Sequence, residues 1–185
     1  MPGDGAGTAR MRLFPAAARC TAGVFFLCLV LVPAAAAVQV SPSPVPAPVL
    51  TGALLGGGQF DLRQLHGRPV LVHFWASFCT PCLEELPSLQ RLAARCPDLA
   101  VVTVAADRGS PAPVREVVRR LALTLPVVLA PEPALRRRWE VNVLPVTYLL
   151  DREHRLRVRV LGARRWDGAA DRAWLAEVMG TCGNG

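Results

Sequence analysis

The chain has 185 residues with 21 basic and 14 acidic side chains, which gives a formal net charge of +7 at neutral pH. All the basic side chains are arginines, and their longest run is Arg136 to Arg138. Because they are scattered and accompany no nucleic-acid-binding motif, the sequence excludes a nucleic-acid-binding protein in spite of its charge. The length suffices for one domain with a full hydrophobic core.

The first 37 residues are predicted to be a signal peptide or a membrane anchor. Three arginines precede an uncharged stretch from Cys20 to Val40. This stretch is long enough to span a bilayer, while Ala35 and Ala37 match the small-residue pattern of a signal-peptidase site. Both alternatives stay open, and under the positive-inside rule both place the rest of the chain outside the cytoplasm.

Residues 38–49 are predicted to form a proline-rich linker. Four prolines alternate with other residues in this segment, and such a density stiffens a chain toward polyproline II. The folded domain is therefore predicted to span residues 50–185.

The predicted elements of this domain alternate between strands and helices. An N-terminal hairpin turns at Gly56 to Gly58, and a buried strand at 69–76 leads into a helix at 80–95. There follow a strand at 99–106, a helix at 114–123, a strand at 126–130, a helix at 133–139, a hairpin of strands at 146–150 and 155–161, and a closing helix at 169–179. Helical crossovers indicate a parallel part of the sheet and the late hairpin an antiparallel edge, so the fold class is α/β with three layers.

Cys79 and Cys82 form a C-x-x-C motif where the strand at 69–76 gives way to a helix. In this position the motif indicates a redox pair, because a helix N-terminus stabilises a thiolate and lowers the pKa of the thiol. A thiolate is the attacking species in disulfide exchange, and Cys82 lies on the same side of the first turn, where it can close a disulfide with Cys79. A zinc site would need four ligands, and no second motif of this spacing is present.

The segment FWASFCTPCLEELPSL, residues 74–89, resembles the active-site segment of the thioredoxin superfamily, in particular its TlpA/ResA-like (DsbE-like) branch. The resemblance covers most of residues 50–179 and includes VNVLPVTYLLD and the pair Gly162 and Trp166. It implies the thioredoxin fold, with a central mixed sheet flanked by helices, an N-terminal hairpin and a central αβ insertion.

The resemblance also implies roles for single residues. Pro145 would be the cis-proline that faces the first cysteine, the alternative being an ordinary turn proline. The backbone beside Leu144 would pair with an extended partner peptide. Trp75 would line this substrate-binding surface, pack in the core, or do both. Glu85, three residues after Cys82, matches an acidic residue of the branch. It could accept the proton of Cys82 or be a surface charge.

The chain departs from the family at Phe78, where a second tryptophan is usual, and at His73. His73 takes the strand position where thioredoxins keep a buried acid. It could relay a proton to Cys82 or, if charged, lower the pKa of Cys79. It could equally be a neutral core histidine, because burial disfavours the charged form.

Cys96 and Cys182 follow the first and the last predicted helix, which in this fold end at the same pole. An oxidising compartment would permit a structural disulfide between them, and their Cα separation decides whether it can form.

The favoured function is an extracytoplasmic (periplasmic) thiol–disulfide oxidoreductase acting on protein disulfides. A membrane electron-transfer protein would reduce the Cys79–Cys82 disulfide again after each reaction. We expect a monomer with no cofactor, metal or nucleic acid. The resemblance favours a reductase, in cytochrome c assembly or at copper-site thiols, over a disulfide-donating oxidase. A Sco-like copper chaperone would need a C-x-x-x-C motif, and a peroxidase would need a threonine at the position of Ala76.

Overall fold

The structure, a computed structural model, describes residues 36–182. The predicted leader, residues 1–37, lies outside the described residues except for its last two positions. The strands are β1 Ala37–Pro46, β2 Thr51–Ala53, β3 Gln59–Asp61, β4 Val70–Trp75, β5 Ala100–Ala105, β6 Val127–Leu129, β7 Val146–Leu150 and β8 Arg155–Leu161. The helices are α1 Thr80–Arg95, α2 Ala112–Arg120, α3 Pro133–Arg138 and α4 Ala169–Met179. Between residues 36 and 182, every helix is too short or too polar to cross a bilayer.

The central strand β4 belongs to a six-stranded sheet with the order β1-β8-β7-β4-β5-β6. Strands β4, β5 and β6 run parallel, whereas β7, β8 and β1 pair antiparallel with their neighbours. Helices α1 and α2 supply the crossovers that parallel neighbours require. The predicted mixed sheet is confirmed, and α2 with β6 forms the central αβ insertion.

The proline-rich segment is part of the sheet, so the predicted linker is wrong over most of its length. Residues 37–46 form β1, which pairs antiparallel with β8 from Ala37 opposite Leu161 to Pro46 opposite Arg155. Proline lacks an N–H, and an edge strand tolerates it because only one side of that strand needs a hydrogen-bonded partner. The folded domain therefore begins near residue 37 and not at residue 50.

The N-terminal hairpin lies along the opposite edge of the sheet. Strands β2 and β3 pair antiparallel, and Gly57 and Gly58 in the connecting turn have φ angles of 101° and 85°. Glycine adopts these angles without the steric cost that a Cβ would bring. A bridge between Leu54 and Val128 then attaches the hairpin to β6.

Alternation along β4 divides the core between the two faces of the sheet. Leu71 and Trp75 pack on the face covered by α1 and α4, whereas Val72 and Phe74 pack on the other face. His73 lies between Leu71 and Trp75 in this alternation, so its side chain lies under α1. Helix α1, which begins beside the two cysteines, therefore lies directly over a buried polar residue, His73.

Candidate active site

Cys79 and Cys82 are joined by a disulfide across the first turn of α1, with their Cα atoms 5.3 Å apart. Cys79 is the N-cap residue and is half-buried, while Cys82 is fully buried. Pro81 fits between them because the first helical turn has no intrahelical acceptor for its missing N–H. Cys79 is therefore the cysteine that a partner can reach.

A carboxylate just after the neighbouring strand β5 fixes the loop of residues 76–79, which we call the cysteine loop. The N–H of Ser77 donates to Oδ1 and Oδ2 of Asp107 at 3.2 and 3.0 Å, and the Ser77 hydroxyl also donates to Oδ1. The N–H of Cys79 donates to the Ala76 carbonyl at 3.1 Å. These bonds hold the turn that presents Cys79 at the helix N-terminus.

The peptide bond between Leu144 and Pro145 is cis. The next residue, Val146, pairs with Phe74 near the end of β4 from which the cysteine loop departs. Pro145 therefore lies at the same end of the sheet as Cys79. Pro145 itself is buried and Leu144 is half-buried.

Glu85 lies one helical turn beyond Cys82 and is only 3% exposed. The indole N–H of Trp166 donates to its Oε1, and the Trp166 backbone N–H donates to the Ser88 hydroxyl at 3.2 Å. Burial raises the pKa of Glu85 to about 7, against the smaller lowering effects of the Trp166 hydrogen bond and of Arg164. This carboxyl can therefore gain or lose a proton near neutral pH, close to the buried cysteine.

His73 lies beneath Glu85, with Nδ1 3.9 Å from Glu85 Oε1. Nδ1 is also 3.0 Å from Oγ1 of Thr147 on β7, and Nε2 has no hydrogen-bond partner among the described residues. Complete burial lowers the pKa of His73 to about 3, so the ring is neutral at physiological pH. The alternative in which a charged His73 lowers the pKa of Cys79 is therefore wrong, and the proton relay stays a prediction.

Trp75 lies in the core beneath the site and does not line its surface. Its side chain is fully buried, in the same core cluster as Cys82. The predicted place in a substrate-binding surface is therefore wrong, because alternation along β4 directs Trp75 toward α1 and away from solvent.

A second disulfide joins Cys96 and Cys182, whose Cα atoms are 4.8 Å apart. Cys96 is the buried C-cap residue of α1, and Cys182 follows α4. The bond ties the C-terminal ends of these two helices together, at the opposite end of α1 from the redox pair.

Residues 45–159, more than half of the chain, match the AhpC/TSA family. The chain belongs to the AhpC/TSA family. This AhpC/TSA protein is 33% identical over 100 residues to the thioredoxin-like protein YneN of Bacillus subtilis, covering 52% of the chain and 58% of YneN. It is 30% identical over 101 residues to the thiol-disulfide oxidoreductase ResA of Halalkalibacterium halodurans, covering 54% of the chain and 57% of that ResA.

The chain thus spans less than two thirds of the length of these curated relatives. Among solved structures, the AhpC/TSA protein resembles a secreted thiol-disulfide isomerase from Corynebacterium glutamicum with a TM-score of 0.66 and 21% identity. That match covers 77% of this chain and 90% of the other, and it shows a shared fold. Together these findings confirm the resemblance to thioredoxin-like proteins of the ResA type.

Three features of the site escaped the sequence analysis. The sequence alone did not reveal that Asp107 accepts hydrogen bonds from Ser77. Residues that follow neighbouring parallel strands meet at one edge of a sheet, and this rule could have indicated the contact. The hydrogen bond from Trp166 to Glu85 joins positions 81 residues apart and left no local signal. Phe78 was noted only as a departure from the family, yet it is 77% exposed beside Cys79.

Proposed function

We propose that this protein is an extracytoplasmic thiol–disulfide oxidoreductase that reduces disulfides of other proteins through Cys79 and Cys82. The observation that carries the proposal is the pairing of a half-buried Cys79 with a fully buried Cys82 at a helix N-terminus. This arrangement separates a cysteine that can attack a partner from one that can only attack its neighbour. The relatives named thiol-disulfide oxidoreductases support the same activity.

The reaction starts from the reduced pair. The Cys79 thiolate attacks one sulfur of the partner disulfide, that S–S bond breaks, and a mixed disulfide forms while the other partner sulfur leaves as a thiolate and takes up a proton. The Cys82 thiolate then attacks the sulfur of Cys79. The intramolecular disulfide closes, the partner leaves as a dithiol, and two electrons have passed to it.

Glu85 is the group that we propose to take the proton from Cys82 before this second attack. The two residues are three positions apart on α1, so they lie on the same side of the helix, and both are buried. With its pKa raised to about 7, the carboxyl is basic enough to accept a thiol proton and acidic enough to release it again. A surface groove of about 340 Å³, lined in part by Glu85 and Arg164, gives the proton a route to solvent.

The direction, the compartment and the partners are parts of the same proposal. The uncharged N-terminal stretch supports export or membrane anchoring, and the TlpA/ResA-like resemblance supports a reductase for apocytochrome or copper-site thiols. A membrane electron-transfer protein would return two electrons to the Cys79–Cys82 disulfide after each turnover, and the protein would act as a monomer.

The first test is the reduction potential of Cys79–Cys82, measured by equilibration with dithiol buffers. The oxidised and reduced fractions can be separated by mass after alkylation of free thiols. A potential near or below about −230 mV is the expected result for a reductase, whereas one near about −120 mV would show a disulfide donor and overturn the proposed direction.

The second test identifies which cysteine captures the partner. Cys82→Ser should accumulate a mixed disulfide with a disulfide-bonded substrate protein, because the resolving thiol is gone. Cys79→Ser should accumulate none, since Cys82 is buried. If Cys79→Ser forms the adduct as readily as Cys82→Ser, the proposed order of attack is wrong.

A further inference from the structure

Two adjoining surface grooves lead away from the cysteine loop. The first, of about 480 Å³, is lined by Ser77 and Phe78 beside the redox pair and extends to Arg108 and Arg136. The second, of about 230 Å³, shares Arg108 and Arg136 and continues to Asn142, three residues before the cis-proline. The two grooves therefore form one path, which we call the arginine groove, from the residue before Cys79 toward the segment that carries the cis peptide bond.

The arginine groove carries positive charge that the described part of the chain does not balance. The arginines in ion pairs between residues 36 and 182 lie elsewhere: Arg63, Arg91, Arg119, Arg155, Arg159, Arg164 and Arg165. Arg108, Arg136 and Arg137 line the groove and take part in none of these pairs. Moreover, Nε of Arg136 is shielded from solvent and has no hydrogen-bond partner among the described residues.

The one acid that lines the groove is already engaged. Asp107 accepts the N–H and the hydroxyl of Ser77, and both interactions hold the cysteine loop. The groove is therefore lined by three arginines and one carboxylate, and that carboxylate is already hydrogen-bonded to the cysteine loop. Next to them Phe78 offers an apolar ring that is 77% exposed at the end nearest Cys79.

We propose that the arginine groove binds an acidic peptide segment that flanks the target disulfide of the redox partner. Guanidinium groups pair with carboxylates through planar, two-pronged hydrogen bonds, and a patch of one charge raises the association rate with a complementary partner. Phe78 would cover the apolar residue beside the target cysteine, and the acidic residues would extend along Arg136 and Arg137. The inference rests on the proposed oxidoreductase function and adds the chemistry of the substrate to it.

The test compares two peptides, each with one intramolecular disulfide and identical except for glutamates or glutamines next to the second cysteine. Stopped-flow kinetics of the reduced full-length protein at low and high ionic strength would give the second-order rate constants. We expect the glutamate peptide to be reduced about tenfold faster at low ionic strength, with the advantage fading as salt screens the charges. Arg137→Gln should remove most of this preference.

Arg120→Gln is the matched control, because Arg120 is exposed, lies on α2 and lines neither part of the groove. Equal rates for the two peptides in the wild-type protein would overturn the proposal. So would a loss of preference in Arg120→Gln as large as in Arg137→Gln, since that would reflect net charge alone. Arginine-dependent reduction of glutathione disulfide without any preference for the glutamate peptide would assign the groove to a small acidic disulfide instead.

A binding measurement separates this inference from the oxidoreductase function. The same peptides with serine in place of cysteine cannot react, and their affinity for the oxidised protein can be measured by fluorescence titration. Tighter binding of the glutamate version, weakened by Arg137→Gln, supports the arginine groove even if neither disulfide peptide is reduced. Equal affinity of the two versions counts against the groove whatever the reduction assay shows.

Discussion

Nδ1 of His73 lies 3.9 Å from Oε1 of Glu85, and both side chains are buried, Glu85 on the helix that carries the redox disulfide and His73 on the strand beneath it. Burial disfavours the charged form of each group, so the pKa of His73 falls to about 3 while that of Glu85 rises to about 7. At neutral pH the histidine is therefore neutral, and Glu85 is the member of the pair that changes its charge. A group that titrates at this depth near pH 7 is suited to proton transfer.

Removal of the Glu85 carboxyl should slow the second step of the proposed reaction. In Glu85→Gln we expect the attack of Cys82 on the mixed disulfide to fall by about 100-fold, because general base catalysis contributes factors of this order. The wild-type rate should rise with pH through an inflection near 7, and the variant should lack that inflection. Stopped-flow resolution of a preformed mixed disulfide measures both effects. Glu84→Gln is the control, since Glu84 is the exposed neighbour, and an equal loss in that variant would contradict the assignment.

Replacement of the tryptophan that donates to Glu85 should shift the same pH profile. The indole N–H of Trp166 stabilises the carboxylate and so lowers the pKa of Glu85. Trp166→Phe keeps the apolar ring and removes the donor, so the pKa should rise and the inflection should move to higher pH. A shift to lower pH, in a variant whose circular dichroism matches the wild type, would show that the hydrogen bond does not act on Glu85.

The buried pair should leave a signature in the dependence of stability on pH. The pKa of Glu85 is about 7 in the folded protein and has its ordinary value of 4.5 in the unfolded chain. Between these values the folded protein holds the extra proton, so Glu85 lowers the free energy of unfolding as pH rises. His73 acts in the opposite sense between about 3 and 6.5, where the unfolded chain binds the proton and stability rises with pH. The two slopes oppose each other between 4.5 and 6.5.

Glu85→Gln isolates the first of these contributions. The free energy of unfolding of the variant, minus that of the wild type, should increase from pH 4.5 to pH 7 by up to about 3 kcal/mol, because the remaining groups cancel in the difference. Urea unfolding at several pH values measures it. A difference that stays constant over this window would mean that the carboxyl is ionised throughout, contrary to its burial.

The disulfide between Cys96 and Cys182 should contribute to stability and not to redox chemistry. It closes a loop with a sequence separation of 86 residues, and removing a native disulfide from a small exported domain costs roughly 2–5 kcal/mol. We expect Cys96→Ala with Cys182→Ala to unfold at lower denaturant concentration, with the potential of Cys79–Cys82 unchanged. A changed potential with unchanged stability would instead assign a redox role to this pair.

Strand β1 should be required for full stability of the domain. A chain that starts at residue 50 exposes the backbone edge of β8, which β1 covers in the structure. We expect its melting temperature to lie roughly 5 °C or more below that of a chain starting at residue 36, the shift that a loss of about 1–2 kcal/mol produces in a domain of this size. Equal melting temperatures would show that residues 37–46 act as a linker and do not stabilise the domain.

Local sequence determined the elements that carry the site. The predicted bounds of α1 and α4 agree with the structure, because leucine periodicity and the C-x-x-C with Pro81 in the first turn mark a helix without reference to the rest of the chain. The glycine turn of the N-terminal hairpin was predictable for the same reason. Resemblance then supplied the cis-proline position and the acid at position 85.

Only the tertiary structure decided how distant positions meet. The predicted proline-rich linker forms β1 because it pairs with β8, which lies more than 100 residues further along the chain. The tertiary structure also placed Trp75 inside the core and brought Trp166 onto Glu85. The physical reason is that burial and strand pairing depend on which surfaces the fold brings together, whereas turns, helix starts and hydrophobic periodicity depend on residues that are close in the sequence.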